Sequence, residues 1–309
     1  MKEFQEFYSK ILLFGEYSVI CNSMGLTIPY KRFSGQLQRS LALNAGKQKS
    51  SESLQCFYAY LAKLSSQKEL TVKLNLDAFK NDLESNLYFE SNIPQGYGVG
   101  SSGAICAAVY DAYAIDKIIE PENICLPELK KIFAQMESHF HGVSSGLDPL
   151  NSYLKKTLLI HNKEELEIVE KPGGFKKGVL DVFLVDTKLS GETGHLVNIF
   201  FDKCRYYDFY KEVKNQMIPI NNTCIKQFME GNLSEFLEAV EQLSLFFFKH
   251  FKPMIPPSFI EFWKNGIQNK TYTLKLCGSG GGGFLLGFTT DFESAKKEFM
   301  DYDLQKLEL

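Results

Sequence analysis

The sequence predicts a two-domain protein of mixed class, α/β or α+β, with two layers of secondary structure in each domain. Three observations carry this prediction. A chain of 309 residues, 44% hydrophobic and with 26 Phe, can bury a large core, and its length favours two domains over one. Strand-like alternation and helix-like recurrence at three and four residues follow one another in both halves. Between the halves, Lys171-Pro172-Gly173-Gly174 breaks every periodicity. That break gives domains at 1–175 and 176–309.

Residues 8–20 hold two apolar runs around Gly15-Glu16 and read as a strand, a tight bend, and a second strand or short helix. Lys10 then falls at the edge of the first strand. Residues 40–53 are polar and lead into a helix over 54–64, and 70–76 alternates like a half-buried strand. A further helix is expected from about 102 to 114. Over 127–140, Leu129, Ile132, Phe133, Met136 and Phe140 form one apolar stripe on a helix that Gly142 ends. Glu137 lies about 80° from the centre of that stripe, a margin where a carboxylate can look into a cleft. Taken alone, a solvated surface Glu is the simpler reading. In the second half, 179–185 reads as a buried strand. Helices follow near 197–213, 224–229, 233–248 and 257–265, and strands at 271–277 and 284–288 flank a glycine run. Trp263 and Phe246, Phe247 and Phe248 read as core.

Composition excludes several functions. A formal net charge of −3 shows none of the basic excess that nucleic-acid binding uses. Seven scattered cysteines, never spaced C-x-x-C, argue against a disulfide framework and a zinc site. The start Met-Lys-Glu-Phe-Gln-Glu is unlike a secretion signal, and no apolar run approaches the roughly 20 residues of a membrane span. The expectation is a cytoplasmic monomer or homodimer that binds a small molecule.

The segment Ile93-Pro94-Gln95-Gly96-Tyr97-Gly98-Val99-Gly100-Ser101-Ser102-Gly103-Ala104 is the most informative. Uncovered glycine amides, two hydroxyls and a helix N-terminus favour a polyphosphate and its metal ion. Gly98, Gly100 and Gly103 match the dinucleotide pattern G-x-G-x-x-G, but Pro94 stands where a buried strand should enter the turn. A Walker A loop would need a Lys, and none lies between Glu90 and Asp116. Gly142-Val143-Ser144-Ser145-Gly146 matches a hydrolase elbow only formally, because a helix precedes it. His139 and His141, two apart on a helix, point in different directions and do not read as a metal pair.

Four segments together resemble the GHMP small-molecule kinases, and within them the mevalonate kinases. They are Lys10 with Ile11-Leu12-Leu13-Phe14-Gly15-Glu16, the loop at 94–104, Glu137 through His141-Gly142 and Ser145-Gly146 to Asp148, and Gly278-Ser279-Gly280-Gly281-Gly282-Gly283. The loop follows the family's Pro-x-Gly-x-Gly-Leu-Gly-Ser-Ser-Ala-Ala, with Val99 for Leu and Gly103 for Ala. The resemblance implies an α+β fold of two domains: an N-terminal α/β domain with the phosphate loop, a C-terminal ferredoxin-like domain, and an active site in the cleft between them. It implies ATP held by Gly96, Gly98, Gly100, Ser101, Ser102 and Gly103, and Mg²⁺ held by Ser102 and Glu137. Asp148 corresponds to the catalytic base, Lys10 to a lysine beside it, and Thr193 to a threonine that orients the catalytic groups. Glu16, Tyr17, His141, Gly278, Ser279 and Gly280 correspond to the substrate side. Tyr17 replaces the His common in mevalonate kinases, and Gly103 in place of Ala should loosen the first helical turn. The activity implied is phosphorylation of the primary hydroxyl of mevalonate to 5-phosphomevalonate. Alternatives are a kinase for phosphomevalonate or a sugar, or a catalytically silent ligand-binding relative.

Overall fold

Nine strands and eleven α-helices, counted among the described residues, make up the molecule in a computed structural model that describes residues 3–118, 126–170, 174–191 and 193–308. The chain forms two compact units, neither contiguous in sequence. The first comprises Met1–Lys10, Pro29–Pro94 and Gly100–Lys156, and the second Ile11–Ile28, Gln95–Val99 and Thr157–Leu309. Compactness therefore does not follow a single cut at 175/176, and residues 171–173 of the expected boundary lie outside the described residues. Strands β1 (Glu6–Phe14) and β2 (Gly25–Arg39) each run from one unit into the other. Lys10 sits in the middle of β1, not at its edge, because the strand already begins at Glu6.

In the first unit, β3 (Leu87–Ser91) pairs antiparallel with the far half of β2, Gly35 opposite Ser91 and Arg39 opposite Leu87. Helix α1 (Ala45–Ser66) begins well before residue 54, because Asn44 caps it by accepting the Lys47 amide at 3.0 Å. The expected strand at 70–76 does not form. Leu74 makes one isolated bridge to Ala114, and Asn75 accepts the Ala78 amide and turns the chain into α2 (Leu76–Glu84), which buries Phe79 and Leu83. Helix α3 (Ser101–Tyr113) matches its expectation and is buried along nearly its whole length. Helix α4 (Leu126–His141) buries Leu129, Ile132, Phe133 and Met136 as its spacing requires, with Phe140 only half-buried. The short α5 (Leu147–Leu154) follows at once and packs on α3 and α4.

In the second unit, β4 (Thr157–Ile160) and β5 (Leu166–Val169) extend the near half of β2, with Gly25 opposite Ile160. The first sheet has the order β1-β2-β4-β5, with β3 joined to β2. A second, antiparallel sheet has the order β7 (Thr273–Leu276), β8 (Phe284–Thr289), β6 (Asp181–Asp186), β9 (Leu304–Lys306). Between β6 and β7 run α6 (Thr193–Cys204), α7 (Tyr207–Glu212), α8 (Ile218–Glu230), α9 (Leu233–His250) and α10 (Ile260–Asn269), and α11 (Phe292–Glu298) joins β8 to β9. Strand, helix, strand, strand, helix, strand in this order is the ferredoxin-like arrangement the resemblance implied. Phe14, Phe228, Phe236 and Phe288 meet at ring distances of 5.2–6.0 Å and form its aromatic centre. Trp263 is buried as expected and donates its indole N–H to Ser244 Oγ at 2.8 Å. Among the described residues, no helix is long and apolar enough to cross a membrane.

Candidate active site

The N-terminus of α3 organises the first unit's polar cluster. Gly100, at φ 82° in the left-handed region, turns the chain into the helix, and no described side chain caps it. The first-turn amides are thus left to an incoming acceptor. Ser102 Oγ donates to Glu137 Oε1 at 2.9 Å and lies 2.9 Å from His141 Nε2. The hydroxyl has a single proton, so the His141 contact is satisfied when Nε2 is the donor. Ser144 Oγ donates to the other oxygen, Glu137 Oε2. Ser101 opens the helix and is half-buried.

Glu137 is 4% exposed, which settles the margin position in favour of an inward-facing carboxylate. Burial pushes its carboxyl up to about 7; the Asp148 charge adds to the rise, while the hydroxyls of Ser144 and Ser102 and the Lys10 charge oppose it. Lys10 Nζ lies 2.9 Å from Asp148 Oδ1, the lysine side chain 6% exposed and the aspartate 36%. Asp148 projects from the first turn of α5, whose entry is set by two close backbone approaches. A Cβ on Gly103 would lie 2.8 Å from the backbone of Asp148 and Pro149, and a Cβ on Gly146 would lie 2.1 Å from the Lys130 carbonyl oxygen of α4. Gly103 does not simply loosen α3: it is the residue that lets α5 bring Asp148 against that helix. His139 stacks on Phe57 at 5.3 Å, while His141 turns to Ser102, so the two histidines diverge as their spacing predicts.

The second unit holds the remaining predicted residues. Gly96 and Gly98 have φ 76° and 71°. The Gly191 N–H donates to the Gly96 carbonyl at 2.9 Å, and a Cβ on Gly98 would stand 3.5 Å from the Cys277 carbonyl. Glu16 is 3% exposed and receives Lys275 Nζ at 2.6 Å; the two side chains are 1% and 0% exposed. Tyr17, at φ 61°, donates its hydroxyl to the Ser279 carbonyl at 2.5 Å and packs between Phe200 and Phe251, each ring 5.0 Å away. Burial, and then the Glu16 charge, push its phenol well above the ordinary range. The run after Ser279 is tightly packed: Cβ atoms on Gly280 and Gly282 would fall 2.5 Å from the Met254 carbonyl and 2.8 Å from the Leu189 carbonyl. Those glycines serve internal packing, and Gly278, with φ 68°, is the more open end. Thr193 is the first residue of α6, and its side chain lies outside the described residues. A surface cavity of about 670 Å³ lined by Asn198, Phe201, Asp202, Cys204 and Arg205 contains none of the predicted residues.

Lys275 and Ser144 were not singled out from the sequence. The signal for Lys275 is a lysine between leucines in a strand otherwise fit for the core, Thr273-Leu274-Lys275-Leu276. Ser144 has no comparable signal, because its role depends on where the turn after α4 returns.

Residues 60–156 match the family model of the GHMP kinases N-terminal domain. Over those residues the chain is similar to the N-terminal domain of the GHMP kinases. The mevalonate kinase of Dictyostelium discoideum is 23% identical over 227 residues, which cover 65% of this chain and 57% of that protein, so the chain matches little more than half of its relative's length. Among solved structures, the mevalonate kinase of L. major in complex with R-mevalonate superposes with a TM-score of 0.62 at 15% identity, covering 97% of this chain and 91% of that one. The phosphomevalonate kinase of Streptococcus pneumoniae, in complex with phosphomevalonate and AMPPNP, gives 0.64 at 13% identity, covering 99% and 100%. The galactokinase of Lactococcus lactis complexed with galactose gives 0.68 at 14%, covering 99% and 93%. The fold is the two-domain α+β fold of GHMP kinases.

No group of three or more His, Cys, Asp or Glu among the described residues is placed to hold a metal ion by itself. The oxygens of Glu137 and Ser102 nevertheless fit Mg²⁺, a hard cation that usually takes one or two protein oxygens and completes its shell with phosphate and water.

Proposed function

We propose that this chain is an ATP- and Mg²⁺-dependent kinase that phosphorylates the primary hydroxyl of mevalonate to give 5-phosphomevalonate. The observation that carries this reading is the convergence, at one helix N-terminus, of an uncapped glycine turn, Ser102 on Glu137, and Asp148 on Lys10. Phosphoryl transfer asks for positioning and charge stabilisation more than covalent chemistry, and these groups supply both.

The α3 amides and Ser101 would receive phosphate oxygens, and Ser102 with Glu137 would hold the metal. The metal ion, when bound, neutralises phosphate charge. Asp148, half-exposed, accepts the proton of the alcohol as its oxygen attacks, and Lys10 stabilises the negative charge that develops there. His141, bonded to Ser102, orients that hydroxyl. Thr193, Gly96, Gly98, Gly278, Ser279 and Gly280 keep their proposed roles toward the nucleotide and the alcohol on the resemblance alone. Glu16 and Tyr17 act through their bonds to Lys275 and Ser279.

The choice of mevalonate rests on the spacing from Glu137 to Asp148 and on the Dictyostelium relative. A second reading, another small alcohol, is favoured by the fold: phosphomevalonate kinase and galactokinase superpose as well as mevalonate kinase does. An ADP-release assay with mevalonate, phosphomevalonate and galactose decides between them, and turnover of a sugar with none of mevalonate rejects the first reading. Asp148→Asn should lower kcat by about 10²- to 10⁴-fold while nucleotide binding persists. Unchanged turnover in that variant removes Asp148 as the base.

A further inference from the structure

The turn between α4 and α5 contributes a hydroxyl that the function above does not use. Ser144 Oγ accepts the Gly146 N–H at 3.0 Å and donates to Glu137 Oε2. A carboxylate side chain that ends a four-bond chain can swing about its last torsion unless both oxygens are held. Here Oε1 is held by Ser102 and Oε2 by Ser144, and Ser144 is itself fixed by a backbone amide at the left-handed residue that starts α5.

We propose that Ser144 is a positioning residue for metal binding: it fixes the Glu137 carboxylate so that the Ser102 and Glu137 oxygens present one preformed pair of ligands to the cation. This rests on the reading of Glu137 and Ser102 as metal ligands. Ser144 acts through Glu137 and does not touch the ion. Partners that orient a metal ligand are commonly worth about 10- to 100-fold in metal affinity.

The test is Mn²⁺ binding to the AMPPNP-loaded protein, read by electron paramagnetic resonance, beside the KM for the alcohol. If the wild-type protein binds no Mn²⁺ with the nucleotide, the underlying metal reading fails and the proposal falls with it. If it does bind, Ser144→Ala should weaken Mn²⁺ about tenfold or more with the alcohol KM unchanged, and Ser144→Thr, which keeps the hydroxyl, should restore binding. Equal Mn²⁺ affinity in Ser144→Ala overturns the positioning role while leaving the kinase reading intact. In a Glu137→Gln background, removing the Ser144 hydroxyl should add nothing. An additive loss there makes Ser144 a direct ligand and also overturns the proposal.

Discussion

The molecule contains two lysine–carboxylate pairs of nearly equal length in very different surroundings. Lys10 and Asp148 meet at 2.9 Å with the aspartate 36% exposed, and Lys275 and Glu16 meet at 2.6 Å with both side chains sealed from solvent. The difference separates reactivity from architecture. A carboxylate that still reaches solvent can exchange a lysine contact for a substrate proton, whereas a fully desolvated pair tolerates no vacancy. The open pair belongs with Ser102 and Glu137; the sealed one fixes the turn at Gly15–Tyr17 against β7.

The strongest way to break this contrast is to delete each lysine. Lys275→Met should cost about 3–5 kcal/mol, because it strands the Glu16 charge in the interior. Lys10→Met should cost below about 1 kcal/mol, because Asp148 remains partly solvated. Urea unfolding measures both, and equal losses would erase the distinction.

Glu137 tests the open side by pH. Its carboxyl is raised from 4.5 to about 7 in the folded protein, so the neutral form favours folding. That contribution is complete below pH 4.5 and is lost as pH rises through about 7. Glu137→Gln, neutral throughout, should therefore stabilise the ligand-free protein at pH 8.5 by up to about 3 kcal/mol and change it little at pH 5. Thermal unfolding at the two pH values checks this, and a pH-independent difference would count against the buried carboxyl. The same variant should weaken Mg-ATP use more than binding of the alcohol.

Smaller changes sharpen the picture. Gly103→Ala must push α5 away, with a stability loss of about 1–3 kcal/mol. A displaced Asp148 should also lower kcat by on the order of 100-fold; normal kcat in a stable variant would show that the close approach is unnecessary. Tyr17→Phe removes the bond to the Ser279 carbonyl from the sealed side and should cost about 0.5–1.5 kcal/mol by the same unfolding measurement.

Much of this was legible in the sequence because periodicity and motif spacing are local. Helices α4 and α9 and strands β6 and β8 follow from their apolar recurrence and α3 from the glycine loop it follows, whereas the grouping of Lys10, Ser102, Glu137 and Asp148 came only from the resemblance carried by motifs far apart in the chain. What the sequence hid depends on long-range partners. Strand β2 had no sequence expectation: it contains Pro29 and Gly35, residue types unfavourable inside a strand, yet pairing with β3 and β4 keeps it continuous. Residues 70–76 alternate correctly for a strand but find one bridging partner, and the Asn75 cap wins. Gly103 and Lys275 look like a weak helix residue and a misplaced charge until α5 and Glu16 arrive beside them.

The seam at Gly146 has a mechanical consequence. Where a single methyl group would overlap main-chain atoms of α4, the two helices cannot slide or rock independently. The acidic groups they carry, Glu137 and Asp148, are therefore mounted on two helices whose main chains leave no room for a side chain between them at this point.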